Sequence, residues 1–160
     1  MTPRSRTLAI ALTTVTIAAA SLSAIAQQAP PKPEQFIKWR QSAYQLVGWN
    51  TGRIKASLDG QYDKDEVVKA ANTIAAIANT GLGALFPPGT EQGKGWHDTA
   101  VKPGLFQDGK KVGEYAANFS REATELAKLA AGGDPALVKD QFAKLTRTCK
   151  ACHDDFRNKD

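Results

Sequence analysis

From residue 36 onward, apolar positions recur at intervals of three and four, the period of a helix with one buried face. Phe36, Ile37, Ala43, Tyr44, Leu46, Val47, Ile54 and Leu58 form the first stripe, and Gly60 stops it. Asp63 or Asp65 is placed to cap a second helix, whose stripe of Val67, Val68, Ala71, Ile74, Ala75, Ile77 and Ala78 ends at Gly81. The period then lapses. Between Gly81 and Gly109 the chain fills with Gly and Pro, as in "LFPPGTEQGKGW", and reads as one long connection. Periodicity resumes at Lys110 with Val112, Tyr115, Ala116, Phe119, Ala123, Leu126, Leu129 and Ala130, closed by Gly132-Gly133. Asp134-Pro135 opens the last helix, with Asp as the cap and Pro in the first turn, where its missing N–H costs nothing. Its stripe is Leu137, Val138, Phe142, Leu145, Cys149, Cys152 and Phe156. No stretch alternates with the period of a strand. Two short connections and one long one between amphipathic segments predict an all-α fold, an antiparallel four-helix bundle with a long central crossover loop. Connections of that length generally carry function.

Ahead of the bundle, Arg4 and Arg6 precede an uncharged, mostly apolar run from Leu8 to about Leu22, and Ala24-Ile25-Ala26 precedes Gln27. This order predicts a cleaved secretory signal over residues 1–26 and a single domain over 27–160. Thr and Ser interrupt the run, which falls short of the roughly 20 solidly apolar residues a membrane span needs. The predicted location is the periplasm, with no membrane span after cleavage. Removing 26 of the 160 residues leaves 134, enough for one core and too few for two. The formal charge falls from +5 to +3, because Arg4 and Arg6 leave and no acidic residue precedes Glu34. The remaining basic residues are interspersed with acidic ones, which excludes a nucleic-acid footprint.

The candidate chemistry sits in the last dozen residues. Both cysteines of the chain, and one of its two histidines, occur in "RTCKACHDDFRNKD" as Cys149-Lys150-Ala151-Cys152-His153. On a helix, Cys149 and Cys152 are one turn apart and His153 is four from Cys149, so all three project from one face. Cys-x-x-Cys-His is the attachment signature of a c-type haem: two thiols add to the porphyrin vinyl groups and the adjacent His becomes the proximal iron ligand. A zinc site would need a fourth ligand, and only His97 in the loop is left to supply it. A thioredoxin-type pair belongs at a helix N-terminus beside a strand, not at a helix C-terminus in an all-α chain. A disulfide across three residues would constrain almost nothing. The predicted cofactor is one haem c per chain.

"CKACHDDFR" at the end of a four-helix bundle, with "KWRQSAYQLVGWNTGRI" in the first helix and "LFPPGTE" in the loop, resembles cytochrome c′, the class II cytochrome c family. The resemblance covers essentially residues 33 to 160. It implies that Arg40 and Gln41 lie near the haem propionates, that Thr90 and Glu91 border the haem edge, and that Arg157 lies beside the proximal imidazole of His153. It further implies that Tyr44 faces the vacant side of the iron, at a position often Leu in the family. A second departure is Gly83, where relatives can carry a bulky residue, and its small size is expected to widen the pocket. The family commonly dimerises through its first two helices, and Trp39, Trp49 and Ile54 supply more apolar surface than one inward stripe needs.

The sixth coordination position is partly legible without the resemblance. Electron-transfer cytochromes c commonly use Met there, and the only Met is Met1, which leaves with the signal. His97 reads as an exposed loop residue. Five-coordinate, high-spin iron is therefore expected, and the resemblance implies the same, together with binding of nitric oxide and carbon monoxide for sequestration or tolerance of nitric oxide. An electron carrier with an unidentified redox partner is the alternative, handicapped by the ligation change. A peroxidase is weaker still, because the first helix offers no distal His and Arg pair, and the chain is expected not to be an enzyme.

Overall fold

The computed structural model describes residues 30–159. The predicted signal, residues 1–26, lies outside the described residues. Four helices carry the fold: α1 spans Pro33–Asp59, α2 Lys64–Ala78, α3 Gly109–Gly132 and α4 Pro135–Phe156. The connection between α2 and α3 holds two short 3-10 turns, Leu82–Leu85 and Pro103–Phe106, which the lapse in period did not reveal.

Local chemistry fixes the helix ends. Asp63, rather than Asp65, caps α2, its Oδ1 accepting from the Glu66 N–H at 3.0 Å. Asp108 caps α3 in the same way through the Lys111 N–H at 3.0 Å, and Asp134 caps α4 through the Ala136 N–H at 2.8 Å. Each such cap contributes about 1 kcal/mol. Gly133 ends α3 at φ +82°, a left-handed conformation that favours glycine, and the end of the Lys64 side chain lies over it.

The core is one cluster drawn from all four helices: Val47 and Ile54, Val67, Ala70, Ala71 and Ile74, Ala123, Leu126 and Ala130, Val138 and Leu145. Each large aliphatic side chain buried here contributes about 1.5–3 kcal/mol. The period misassigns a few positions. Leu46 and Leu137 are half exposed, whereas Asn50, Ser57 and Gln141 are buried. Position 50 falls in step with Val47 and Ile54, and position 141 with Val138 and Leu145, so geometry overrides polarity. Each polar group is then satisfied. The Asn50 Nδ2 donates to the Leu46 carbonyl at 2.8 Å, and the Gln141 Nε2 to the Glu122 Oε2 at 2.8 Å. The Ser57 Oγ accepts from the Asp63 N–H at 2.8 Å. Ile54 is fully buried, so it adds nothing to the surplus surface that the sequence suggested for α1.

Sequential helices pack on one another, α1 on α2, α2 on α3 and α3 on α4, but no comparable packing joins α1 to α4. The bundle is thus open along the seam between its first and last helices. Among the described residues no helix is long and apolar enough to cross a membrane.

Candidate functional site

The α4 side of this seam carries the thiols. Cys149 and Cys152 are free and half-buried, and the Cys149 Sγ donates to the Leu145 carbonyl at 3.6 Å. Burial pushes both thiols above the ordinary cysteine value, with Cys149 and Asp155 adding to the effect on Cys152. His153 stands beside them with its pKa lowered by desolvation and then by the Arg157 charge, against an opposing pull from Asp154. The neutral imidazole is the form that ligates a metal. Among the described residues no cluster of three or more His, Cys, Asp or Glu is arranged to hold a bare metal ion.

The α1 side presents Tyr44. Its ring packs on Phe86 at 6.4 Å between centroids, and Phe86 on Phe106 at 6.5 Å, so three rings wall the seam. Tyr44 keeps 41% of its surface exposed because it fronts the seam rather than the core. Its hydroxyl is nonetheless desolvated, which pushes its pKa up to about 12, with Cys152 and Cys149 adding to the rise and Arg40 opposing it. Interaction with both cysteines puts this α1 tyrosine opposite the α4 thiols. Their share disappears once the thiols become thioethers, whereas the desolvation remains.

Arg40, one turn before Tyr44, is only 3% exposed. Its Nη1 donates to the Thr90 Oγ1 at 2.8 Å, and its Nη2 to the Thr90 carbonyl at 2.7 Å and the Thr99 Oγ1 at 2.8 Å. The guanidinium also stacks over Phe86, 4.7 Å from the ring centroid. Burial lowers the Arg40 pKa, and the nearby Glu91 offsets part of that loss. Thr90 is itself buried, its Oγ1 donating to the Pro87 carbonyl at 2.8 Å. Arg40 and Thr90, expected at a haem edge, therefore also hold the connection to α1.

Gln41 does the same further along. Its Oε1 accepts from the Trp96 N–H at 2.7 Å, and its Nε2 donates to the His97 carbonyl at 2.9 Å. His97 is exposed, as expected, with its Nδ1 2.8 Å from the Asp98 carbonyl. Gly95 lies so close to α1 that a Cβ would collide with Gln41, Ile37 and the Lys38 backbone. At Gly83, by contrast, an added Cβ would meet nothing within 4 Å.

Beyond His153 the chain is tied down again. Arg157 is exposed, its N–H donates to the His153 carbonyl at 3.1 Å, and it pairs with Val101 in an isolated antiparallel bridge. Asp155 accepts from the Tyr115 hydroxyl at 2.5 Å and pairs with Lys111 at 2.8 Å.

The profile of the cytochrome c′ family matches residues 35–157. The chain belongs to that family. It is 66% identical over 132 residues to cytochrome c′ of Rhodocyclus tenuis, covering 82% of this chain and 99% of that one. A solved cytochrome c′ with ligand-controlled dimer dissociation superposes with a TM-score of 0.79 at 46% identity, covering 82% of this chain and all of that one. Mutants of Alcaligenes xylosoxidans cytochrome c′ have been solved with nitric oxide and with carbon monoxide bound, each 29% identical, with TM-scores of 0.71, spanning 80% of this chain and 98% of that one.

The cofactor is haem c, and the residues present fit it. Two free thiols one turn apart with a histidine alongside form the attachment set. The seam they face is walled by aromatic rings, as a flat apolar macrocycle requires. Phe86, Phe106 and Thr99 escaped the sequence reading. Phe86 lies inside the "LFPPGTE" stretch, which was a usable signal; Phe106 and Thr99 carry none beyond their place in the connection.

Proposed function

We propose that the chain is an exported haem protein whose iron, ligated by His153, binds nitric oxide and carbon monoxide on the side faced by Tyr44. The observation that carries this reading is Tyr44 itself. Burial alone keeps the hydroxyl's pKa above its ordinary value after the thiols have become thioethers, so it stays protonated at neutral pH. A neutral phenol is a poor iron ligand but a good hydrogen-bond donor. The sole methionine is Met1, within the proposed signal, so the mature domain offers no thioether in its place. Haem iron held on one face supplies an open, high-spin coordination position for a diatomic. Tyr44 then restricts access and donates to what enters, while Phe86 and Phe106 exclude water.

Arg40, Gln41 and Thr90 hold the loop beside the haem edge, which Glu91 borders with them, and Arg40 supplies positive charge toward the propionates. Arg157 serves on the proximal side, next to His153. The relatives bound to nitric oxide and carbon monoxide support the ligand class. Export by residues 1–26 to the periplasm, and a homodimer through α1 and α2, belong to the same reading. The deciding experiment is the electronic spectrum of the purified protein with and without each gas. A five-coordinate, high-spin spectrum that shifts on adding either gas to the ferrous form is expected. A six-coordinate, low-spin spectrum indifferent to both would overturn it and favour electron transfer.

A further inference from the structure

Residues 99–102 join the two helices that do not pack on each other. At one end, the Thr99 Oγ1 accepts from the buried Arg40 of α1 at 2.8 Å. At the other, the Lys102 N–H donates to the Phe156 carbonyl at 2.9 Å and the Asn158 N–H to the Ala100 carbonyl at 2.8 Å. The Lys102 Nζ adds a bond to the Asp154 carbonyl at 2.9 Å. The attachment points bracket the site. Arg40 is one helical turn before Tyr44, and Phe156 is three residues beyond His153. A four-residue extended segment reaches at most about 14 Å, so this short link limits the spacing of its two attachment points far more closely than the long connection it belongs to.

We propose that residues 99–102 act as a strap that sets the separation of α1 from α4, and so fixes how tightly Tyr44 closes over the iron. Thr99 and Lys102 are then positioning residues for ligand entry: neither touches the ligand, and both act through Tyr44. The proposal rests on the reading of Tyr44 as the gate. Direct packing holds the other three helix pairs at fixed spacing, because side chains interdigitate at crystal-like density. The seam lacks that packing, so its spacing falls to the strap and to whatever it encloses.

Two variants loosen opposite ends. Thr99→Val removes the acceptor for Arg40, and Thr99→Ser restores it. Lys102→Pro deletes the N–H bonded to Phe156 and sets the proline ring against that carbonyl, forcing this end of the strap open, while the native φ of −75° itself suits proline. Lys102→Ala controls for the side-chain bond alone. Carbon monoxide association would be measured by flash photolysis on the ferrous holoprotein, and exchange of the Asn158 amide by NMR. Thr99→Val and Lys102→Pro are expected to speed association about two- to tenfold, the effect of losing one hydrogen bond from the closed state. Thr99→Ser should return to the wild-type rate, and Lys102→Pro should hasten Asn158 exchange. In a Tyr44→Ala background both strap variants should leave the rate unchanged. Equal acceleration with and without Tyr44 would overturn the proposal, as would faster Asn158 exchange with no change in rate. If the wild-type protein fails to bind carbon monoxide at all, the gas-binding reading falls first and the strap's role falls with it.

Discussion

Tyr44 can restrain a ligand by its bulk and by its hydroxyl, and two substitutions separate these effects. Opening a closed pocket reduces apparent affinity by the fraction of time the pocket is open. Tyr44→Ala removes that penalty and is expected to raise the carbon monoxide association rate by about tenfold or more. Tyr44→Phe keeps the ring against Phe86 and deletes only the donor. Its association rate should stay near wild type while the ligand leaves about two- to tenfold faster, as for one lost hydrogen bond. Unchanged kinetics in Tyr44→Ala would reduce this residue to a wall of the seam. The thiols allow a plainer test: with Cys149 and Cys152 both replaced by Ala, acid and organic solvent should extract the haem, whereas wild-type haem should stay on the denatured chain. At this scale the sequence spoke clearly where chemistry is local. Cys149, Cys152 and His153 lie within five residues, and no other arrangement in the chain explains them. Arg40 is different. Its partners Thr90 and Thr99 are 50 and 59 residues away, and a lone arginine on a helix suits solvent equally well.

Between elements, α3 and α4 are tied beside the haem motif by Asp155, which takes a hydrogen bond from Tyr115 and a charge from Lys111. These two partners hold the Asp155 carboxyl below its ordinary value. A depressed carboxylate contributes stability above its unfolded pKa, and that contribution fades as pH falls through the lower folded value. Tyr115→Phe should therefore lower the melting temperature at neutral pH, with the difference shrinking as pH falls through the depressed carboxyl value. A difference that persists undiminished in acid would show that the hydroxyl's contribution does not depend on the charge of Asp155. The helices themselves were legible because burial imposes a 3.6-residue period on the sequence, and Asp63 and Asp134 marked where helices begin. Leu46 and Leu137 depart from that pattern because phase along the helix, not hydrophobicity, decides burial. The two 3-10 turns and the bridge at Val101 were invisible, since pieces so short carry no period at all.

At the scale of the whole molecule, the outer face of α1 remains to be explained. Trp39, Leu46 and Trp49 are 45%, 50% and 61% exposed, and with Ser42 and Arg53 they follow alternating steps of three and four residues. That spacing is the seam of one helix packing along another. Arg53 stacks over Trp49, 4.6 Å from the ring centroid, and pairs with Glu66 of α2, so the face is ordered without a partner. On α2 the exposed Asn72 and Ala76, one turn apart, carry short side chains, which leaves room for bulky indoles to approach. Large apolar side chains lined up on one face of a small domain generally mark an association site. A second copy is the occupant we expect, α1 and α2 of one protomer crossing those of the other. Buried aromatic anchors dominate such interfaces. Replacing both Leu46 and Trp49 by Glu should therefore weaken association at least tenfold, a loss typical of interface hot spots. Both positions are exposed and lie away from the seam that Tyr44 fronts, so the haem spectrum and the melting temperature of the monomer should barely change. Sedimentation equilibrium at micromolar concentration would decide. The wild-type protein should give close to twice the mass of one chain and the double variant close to one. A wild-type mass near that of a single chain would leave the tryptophans of α1 without a partner in a second copy.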